Sequence, residues 1–494
     1  MLAESASGLK GVSTDSYLAS KAALEIMEDG GNAFDAAVAA SAVLSIVLPH
    51  TSGLGGDGFL LAFIGDEIVA YASCGKSPSG LNVDEYLRIK PVRGPLTVTV
   101  PGLANLWDFI NDEFCKLPLS RVLKPAISLA YNGFYASRYL AEASKATENE
   151  LGIFKWAKYF KGVGEGAPLK NKEAGQTLKT LASKGCAEFY HGKIAERFVG
   201  ELKEQGVEIG LDDMASHRGL RVKPLKLNVD GRTLYESPPN TQGVTTLQAI
   251  SAIHELDLAK YSFENCERIK AWSEIIKTIY AFRDLFIGDP DYMEIDVNKH
   301  LTYGKAKEAL LKKRFETQSL SSADTTFFSV SDGEAILGFI QSLFLPFGSG
   351  LISLGFPVQS RGYGFAKNAH LPNSPAPRKR PLTTLSILGV KASEKVHLIG
   401  CAGGDWRPQI HARIYENLFV YGMSLEEALK APRFIYNESN NLLVESGMPK
   451  PCHPTLTVKH FDKIGLAHVA VKDSKKKLTY FAADPRSEGK ALAL

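Results

Sequence analysis

Asp324-Thr325-Thr326-Phe327-Phe328-Ser329-Val330 is followed by Ser331-Asp332-Gly333-Glu334 and then by Ala335-Ile336-Leu337-Gly338-Phe339-Ile340-Gln341-Ser342. Two runs of β-branched, aromatic and aliphatic residues flank an Asp-Gly pair, the strongest short-range signal for a hairpin. The first run is therefore predicted to be a strand that begins near Thr325. Upstream, Glu316-Thr317-Gln318-Ser319-Leu320-Ser321-Ser322-Ala323 is small and polar without apolar periodicity, which reads as an exposed loop feeding the strand. If the Asp324-Thr325 bond were broken, Thr325 would carry a hydroxyl and an α-amine on one residue. The reference pKa of an α-amine, about 7.7–8.0, suits a general base for that residue's own side-chain oxygen. Taken alone, Thr-Thr at a strand start is also what β-propensity supplies.

The 494 residues suffice for two or three average domains or one large one. An apolar fraction of 45% and a charged fraction of 22% are those of a soluble globular protein. A net charge of +3 predicts neither nucleic-acid nor membrane partners. The short basic runs Lys312-Lys313-Arg314, Arg378-Lys379-Arg380 and Lys475-Lys476-Lys477 read as solvated faces. No run approaches the ~20 apolar residues that span a bilayer, and Met1 to Ser7 lacks the basic and apolar regions of a signal peptide. A cytoplasmic protein is the expectation. Cys74, Cys115, Cys186, Cys266, Cys401 and Cys452 are scattered without a Cys-x-x-Cys pair and are expected to be free thiols. The eleven histidines form no His-Glu-x-x-His and no cluster of zinc spacing, so neither metal nor cofactor is expected.

Asn32 to Val47 is apolar nearly all round, as a helix buried on most faces would be, with Asn32 as N-cap and Pro49 just past its end. Gly53-Leu54-Gly55-Gly56-Asp57-Gly58 fits G-x-G-x-x-G to the letter, but a dinucleotide fingerprint leaves a strand and opens a helix. Here a helix precedes and the strand-like Phe59 to Ile64 follows, so the motif reads as a decoy. Helical patterns cover Ser120 to Asn132, Leu178 to Ser183, Leu247 to Glu255, Arg268 to Asp284 and Pro408 to Tyr421. Leu225 to Glu236, Leu385 to Val390 and Val396 to Cys401 read as strands. Strands and helices lack the strict alternation of a parallel wind, and layered sheets covered by helices fit better.

Gly31-Asn32-Ala33-Phe34-Asp35-Ala36-Ala37-Val38-Ala39-Ala40, Pro49 to Phe59, Asp324-Thr325-Thr326, Lys379-Arg380-Pro381-Leu382-Thr383-Thr384, Gly403-Gly404 and Asp484-Pro485-Arg486-Ser487 come in the order found in γ-glutamyltransferases. The chain resembles that family from about Ser13 to its C-terminus. The resemblance implies an α+β fold, the four-layer αββα sandwich of N-terminal-nucleophile hydrolases, with mostly antiparallel sheets. It implies self-cleavage between Asp324 and Thr325, dividing one intertwined domain into segments 1–324 and 325–494. Thr325 would be the nucleophile, Gly403 and Gly404 the oxyanion hole, and Ser342 the hydroxyl supporting the nucleophile. Thr383 and Thr384 replace a serine pair that bonds the substrate α-carboxylate, and they keep the hydroxyls.

The rest of the amino-acid pocket departs from the family pattern. Cys74 stands at the position of an arginine that grips the α-carboxylate, and Lys76 could supply charge without a planar fork. Phe344 and Gly364 stand where an Asn and an Asp would meet the α-amine. Arg361 is new here and could bind an acid from the opposite side. Phe327 replaces a histidine, and the loop from Ala366 to Arg378 is shorter than the usual lid, so both are expected to bear on substrate choice. The activity implied is cleavage of γ-glutamyl amides such as glutathione, with the acyl group passing to water or an amine. Amide hydrolysis on another small acid, and an uncleaved relative that binds without turnover, stay open as alternatives. The partners implied are a small-molecule amide, the acceptor and the chain's own two fragments, with homo-oligomerisation left open. A dinucleotide-dependent oxidoreductase on Gly53 to Gly58 and a cysteine hydrolase on Cys401 or Cys74 are the competing readings.

Overall fold

A computed structural model describes residues 4–311, 324–437, 441–448, 455–459 and 464–494. The loop Glu316 to Ala323, the basic run Lys312-Lys313-Arg314 and Cys452 lie outside the described residues. The predicted hairpin forms: Asp324–Ser331 pairs antiparallel with Ala335–Phe344. Its turn needs a left-handed residue, and Gly333 supplies it at φ +94°. One Asp332 oxygen accepts from the N–H groups of Glu334 (3.0 Å) and Ala335 (2.8 Å). The other accepts from Ala33 N at 2.9 Å, which ties the turn to the start of the helix Ala33–Val47. Asn32 caps that helix as predicted, with Asp35 completing a reciprocal capping box. Every residue of the helix is buried.

The hairpin sits in the middle of a seven-stranded sheet, in the order Lys490–Ala493, Gly11–Thr14, Asp324–Ser331, Ala335–Phe344, Asp57–Ile64, Glu67–Ser73, Leu220–Arg221. A second seven-stranded sheet runs Glu4–Gly8, Leu478–Ala483, Leu466–Asp473, Lys395–Ala402, Leu388–Ala392, Arg232–Glu236, Leu225–Val229. All pairings within both sheets are antiparallel. Each sheet takes strands from both sides of the Asp324-Thr325 bond.

Three apolar cores separate four layers. One joins the first sheet to helices that include Ala33–Val47 and Leu103–Glu113, and another joins the second sheet to Gly243–Glu255 and Arg407–Phe419. The third lies between the sheets and contains Phe59, Phe327, Ile340, Leu398 and Phe481. The architecture is the expected αββα sandwich. Strand alternation sends Phe327 between the sheets and Phe328 and Val330 toward the helices.

Several sequence expectations are corrected. The single helix at Ser120 to Asn132 is two, Leu119–Val122 and Lys124–Asn132, because Pro125 lacks an N–H and restarts the helix in its first turn. The strand expected from Leu385 begins at Leu388; Leu385 N turns back to Thr383 Oγ1 at 3.3 Å instead of joining a neighbouring strand. Cys266 is disulfide-bonded rather than free, whereas Cys74, Cys115, Cys186 and Cys401 are free thiols. Phe327 is fully buried between the sheets against Gly400, which has no room for a Cβ. It is a core residue and not part of a substrate pocket.

Candidate active site

The register of the hairpin shifts between Asp324 and Thr326, so Thr325 sits at a β-irregularity of the kind that re-aims a side chain. Thr325 is 1% exposed, and its hydroxyl donates to Ser342 Oγ at 3.2 Å. Ser342 Oγ in turn donates to the Asp324 carbonyl at 3.0 Å and accepts from Phe344 N at 2.8 Å. One hydroxyl therefore touches both the Thr325 oxygen and the carbonyl of the bond before it. A narrow cavity at this point is lined by Asp15, Thr51, Tyr139, Asp324, Thr325 and Leu466.

Ala402 packs with Tyr139 and Leu466, two walls of that cavity, and the chain passes directly from it into Gly403 and Gly404. Both glycines have positive φ, +151° and +54°, a path that L side chains rarely take. They open the turn Gly404–Trp406 before the helix Arg407–Phe419. Gln242 Nε2 donates to Gly404 O at 2.8 Å and to Thr384 O at 3.4 Å, which fastens the glycine pair to the threonine pair. Arg283 holds Gln242 Oε1 at 3.1 Å and Asp405 Oδ1 at 2.6 Å. Thr383 Oγ1 accepts from Leu385 N, whereas Thr384 Oγ1 is buried without a hydrogen-bond partner.

Beside these groups lies a buried acid–base pair. Arg361 Nε meets Asp57 Oδ2 at 3.2 Å, with both side chains 0% exposed. Asp57 Oδ1 also accepts from Gly75 N, Gly102 N and Gln359 Nε2. Burial raises the Asp57 carboxyl, and Arg361 opposes that shift. Both Nη atoms of Arg361 are buried without a hydrogen-bond partner, and the Phe344 ring lies 4.8 Å from the guanidinium. The same holds for both Nη atoms of Arg407, whose Nε donates to Cys401 O at 2.8 Å. Burial pulls the Arg407 pKa down, and Arg361 is near enough to add to that.

Cys74 lies next to this pair: Asn240 Nδ2 donates to its sulfur at 3.6 Å, and burial followed by the Asp57 charge pushes its thiol well up. A thiolate nucleophile is disfavoured there. Lys76 is half-buried and offers its carbonyl to Val100 N, with no side-chain partner among the described residues. Gly364 brings no carboxylate, and a Cβ there would stand 2.5 Å from Leu382 O. The glycine run Gly53 to Gly58 joins a helix to a strand, as expected of a decoy, and Gly55 bridges Val358 so closely that no side chain fits. That approach brings Asp57 to Arg361.

Thr325, Ser342 and Asp324 thus meet, and Thr384 and Gly404 meet through Gln242, with Thr383 and Gly403 beside them in the chain. Cys74 and Arg361 share Asp57 as a neighbour, while Lys76 stands apart. The sequence reading gave no role to Asp57, Gln242, Arg407 or Asp15. Only Asp57 had a local signal, as the one charge inside a glycine run.

Two stacked antiparallel sheets with a buried threonine at the head of a central strand define an N-terminal-nucleophile hydrolase fold. The γ-glutamyltranspeptidase family model matches residues 19–494, and the chain belongs to that family. It is 32% identical to the glutathione hydrolase-like YwrD proenzyme of Bacillus subtilis, over 97% of each chain. It is also 32% identical to the oxamate amidohydrolase proenzyme of Klebsiella pneumoniae, over 96% of each. The solved cephalosporin acylase of Bacillus halodurans superposes with a TM-score of 0.87 at 25% identity, covering 100% of this chain and 96% of that one. Among the described residues no helix is long and apolar enough to cross a membrane.

Proposed function

We propose that the chain is a self-processing threonine amidohydrolase whose acyl pocket takes the amide of a small carboxylic acid without an α-ammonium group. The carrying observation is the path from Thr325 Oγ1 to Ser342 Oγ to the Asp324 carbonyl, at 3.2 and 3.0 Å. In self-cleavage the Thr325 oxygen adds to the Asp324 carbonyl carbon, and the Asp324-Thr325 C–N bond breaks as the nitrogen takes up the hydroxyl proton. The resulting ester is hydrolysed by water, which leaves an Asp324 carboxylate and a free Thr325 hydroxyl and amine. The chain then consists of segments 1–324 and 325–494. In turnover the Thr325 amine takes the hydroxyl proton, the oxygen forms an ester with the acyl group, and water or an amine accepts that group. Backbone N–H groups at Gly403 and Gly404 would receive the oxyanion, since glycine lets the backbone come close.

Buried charge favours an acid donor. The unpartnered Nη atoms of Arg361 and the unpartnered Thr384 hydroxyl are donors suited to a carboxylate. An α-ammonium would instead face the Phe344 ring beside a guanidinium and a glycine at 364. The similarity to an oxamate amidohydrolase, named for an amide of a small acid with no ammonium, points the same way. γ-Glutamyl amides remain the second reading, favoured by the retained hydroxyls of Thr383 and Thr384 and by the likeness to a glutathione hydrolase-like protein.

Intact mass and N-terminal mapping of the purified protein test the cut, with Thr325→Ala as the variant. Wild type is expected as two fragments divided at Thr325, and Thr325→Ala as one inactive full-length chain. Normal cutting in Thr325→Ala would refute the nucleophile, and wild type that stays whole through long incubation would leave a binding protein. Paired amide donors with and without an α-amino group then test the pocket, and a preference for the amino form would return the reading to γ-glutamyl transfer.

A further inference from the structure

Asp15 follows the strand Gly11–Thr14 and is 8% exposed. Its Oδ2 accepts from Thr326 Oγ1 at 2.6 Å, and its Oδ1 lies 2.9 Å from His468 Nε2. His468 is fully buried, and its Nδ1 lies 2.6 Å from Ser13 Oγ. One proton assignment satisfies every contact: Ser13 O–H donates to Nδ1, Nε2–H donates to Asp15, and Thr326 O–H donates to Asp15. Gly489 closes over the imidazole, where a Cβ would come within 2.9 Å of Cε1. The Asp15 carboxylate is thus clamped from two sides while lining the cavity that holds Thr325.

The other charged groups around that cavity are acidic or already answered by arginine. Glu488 has Arg138 at 3.9 Å, and Asp484, which acts on Tyr139, is held by Arg433 at 2.6 Å and Arg486 at 3.1 Å. Burial pushes the Tyr139 phenol up, and Asp324, Asp15, Asp484 and Glu142 add to it in that order. Asp324 leaves the nucleophile when its bond to Thr325 breaks. Among these carboxylates Asp15 is the one bound to the residue next to Thr325, and it is held by an imidazole and a hydroxyl, with no arginine or lysine paired to it among the described residues.

We propose that Asp15, held by His468, is the counter-ion that binds and orients the α-ammonium group of Thr325 once the chain is cut. This rests on the reading of Thr325 given above. A neighbouring carboxylate favours the protonated amine and raises its pKa. It therefore places the acid limb of turnover above the ordinary α-amine range and aims the nitrogen at its own hydroxyl.

The test is the pH dependence of acetylation of the Thr325 amine by acetic anhydride, read by mass spectrometry of the N-terminal peptide of the cut protein. In wild type the midpoint is expected above the ~8 of a free α-amine. In Asp15→Asn it is expected about one pH unit lower, with the acid limb of kcat/KM moving by the same amount. Equal midpoints in the two proteins would overturn the proposal. If Asp15→Asn stays uncut, Ser13→Ala, which frees the His468 imidazole that holds Asp15, is titrated instead: a midpoint displaced from wild type upholds the proposal, and an amine that titrates as in wild type overturns it. A wild-type chain with no amine at Thr325 would refute the nucleophile reading itself and this proposal with it, whereas a cut chain with unshifted amine refutes the proposal alone.

Discussion

Ser342→Ala removes one oxygen that serves three partners. The hydroxyl accepts from Thr325 at 3.2 Å, donates to the Asp324 carbonyl at 3.0 Å and accepts from Phe344 N at 2.8 Å. Loss of the donor on the scissile carbonyl is worth ~10²–10³ in rate by analogy with oxyanion donors. Loss of the acceptor leaves the Phe344 N–H in a fully buried site, at about 1–3 kcal/mol of stability. The two consequences separate in experiment. Freshly refolded precursor is sampled over time on denaturing gels for cutting, and melted in parallel for stability. Ser342→Ala is expected to fold with a lowered Tm and to cut ~10²–10³-fold more slowly. Ser342→Thr, which keeps the hydroxyl, should recover most of the rate. Cutting by Ser342→Ala at the wild-type rate would refute the claim that this hydroxyl polarises the Asp324 carbonyl.

Two further outcomes follow from buried charge. Arg361→Gln should weaken kcat/KM for acid amides by ~10–100-fold, the worth of one charged hydrogen bond, while sparing uncharged amides. Because it also strands the Asp57 carboxylate in a fully buried position, the double variant with Asp57→Asn should melt higher than Arg361→Gln alone. Equal losses for charged and uncharged donors would remove Arg361 from the pocket. His411 is fully buried with Nδ1 3.2 Å from Glu236; burial alone would lower its pKa, but Cys401 and Glu236 lift it to about 8. A raised histidine binds its proton more tightly in the folded state, so this stability is complete below the unfolded pKa and is lost as pH rises through about 8. The loss is about 2 kcal/mol, read as a fall in Tm across that window that His411→Gln should flatten; an unchanged slope in the variant would count against it.

What the sequence made legible was local. The Asp332-Gly333 turn, the Asn32 cap and the apolar Ala33–Val47 helix each rest on residues a few positions apart, and all three form as read. Thr325 stood out at a strand start, but its role, like those of Ser342, Gly403 and Gly404, was named only because several motifs occur together in a fixed order. The contacts that make them a site could not be read in the same way. Ser13 and His468 are 455 positions apart, and Asp57 and Arg361 are 304 apart, so neither pair has any spacing to recognise. Phe327 shows the reverse error: a position compared with a pocket residue proves to be core, because the facing sheet offers Gly400 where a side chain would otherwise block an aromatic ring.

If Thr325 acts as proposed, activity should wait for cleavage. The cavity beside Thr325 holds only about 10 Å³, no more than the room for a single water, whereas small-molecule sites usually run to ~300 Å³ or more. Asp324 is itself one of its walls, and its carbonyl occupies the hydrogen bond that Ser342 would offer to a substrate. On the proposed mechanism the Asp324-Thr325 peptide stands where a substrate would: its carbonyl oxygen accepts the Ser342 hydrogen bond, and its nitrogen would be the base in masked form. On that mechanism, breaking the bond would free the Ser342 donor, convert an amide nitrogen into an amine and release Asp324 from its place in the wall. On this account a full-length Thr325→Ser precursor, assayed before it cuts itself, should hydrolyse no added amide, and activity should appear in step with the fragment that begins at residue 325. Activity that runs ahead of that fragment would show that the cavity opens by some other route.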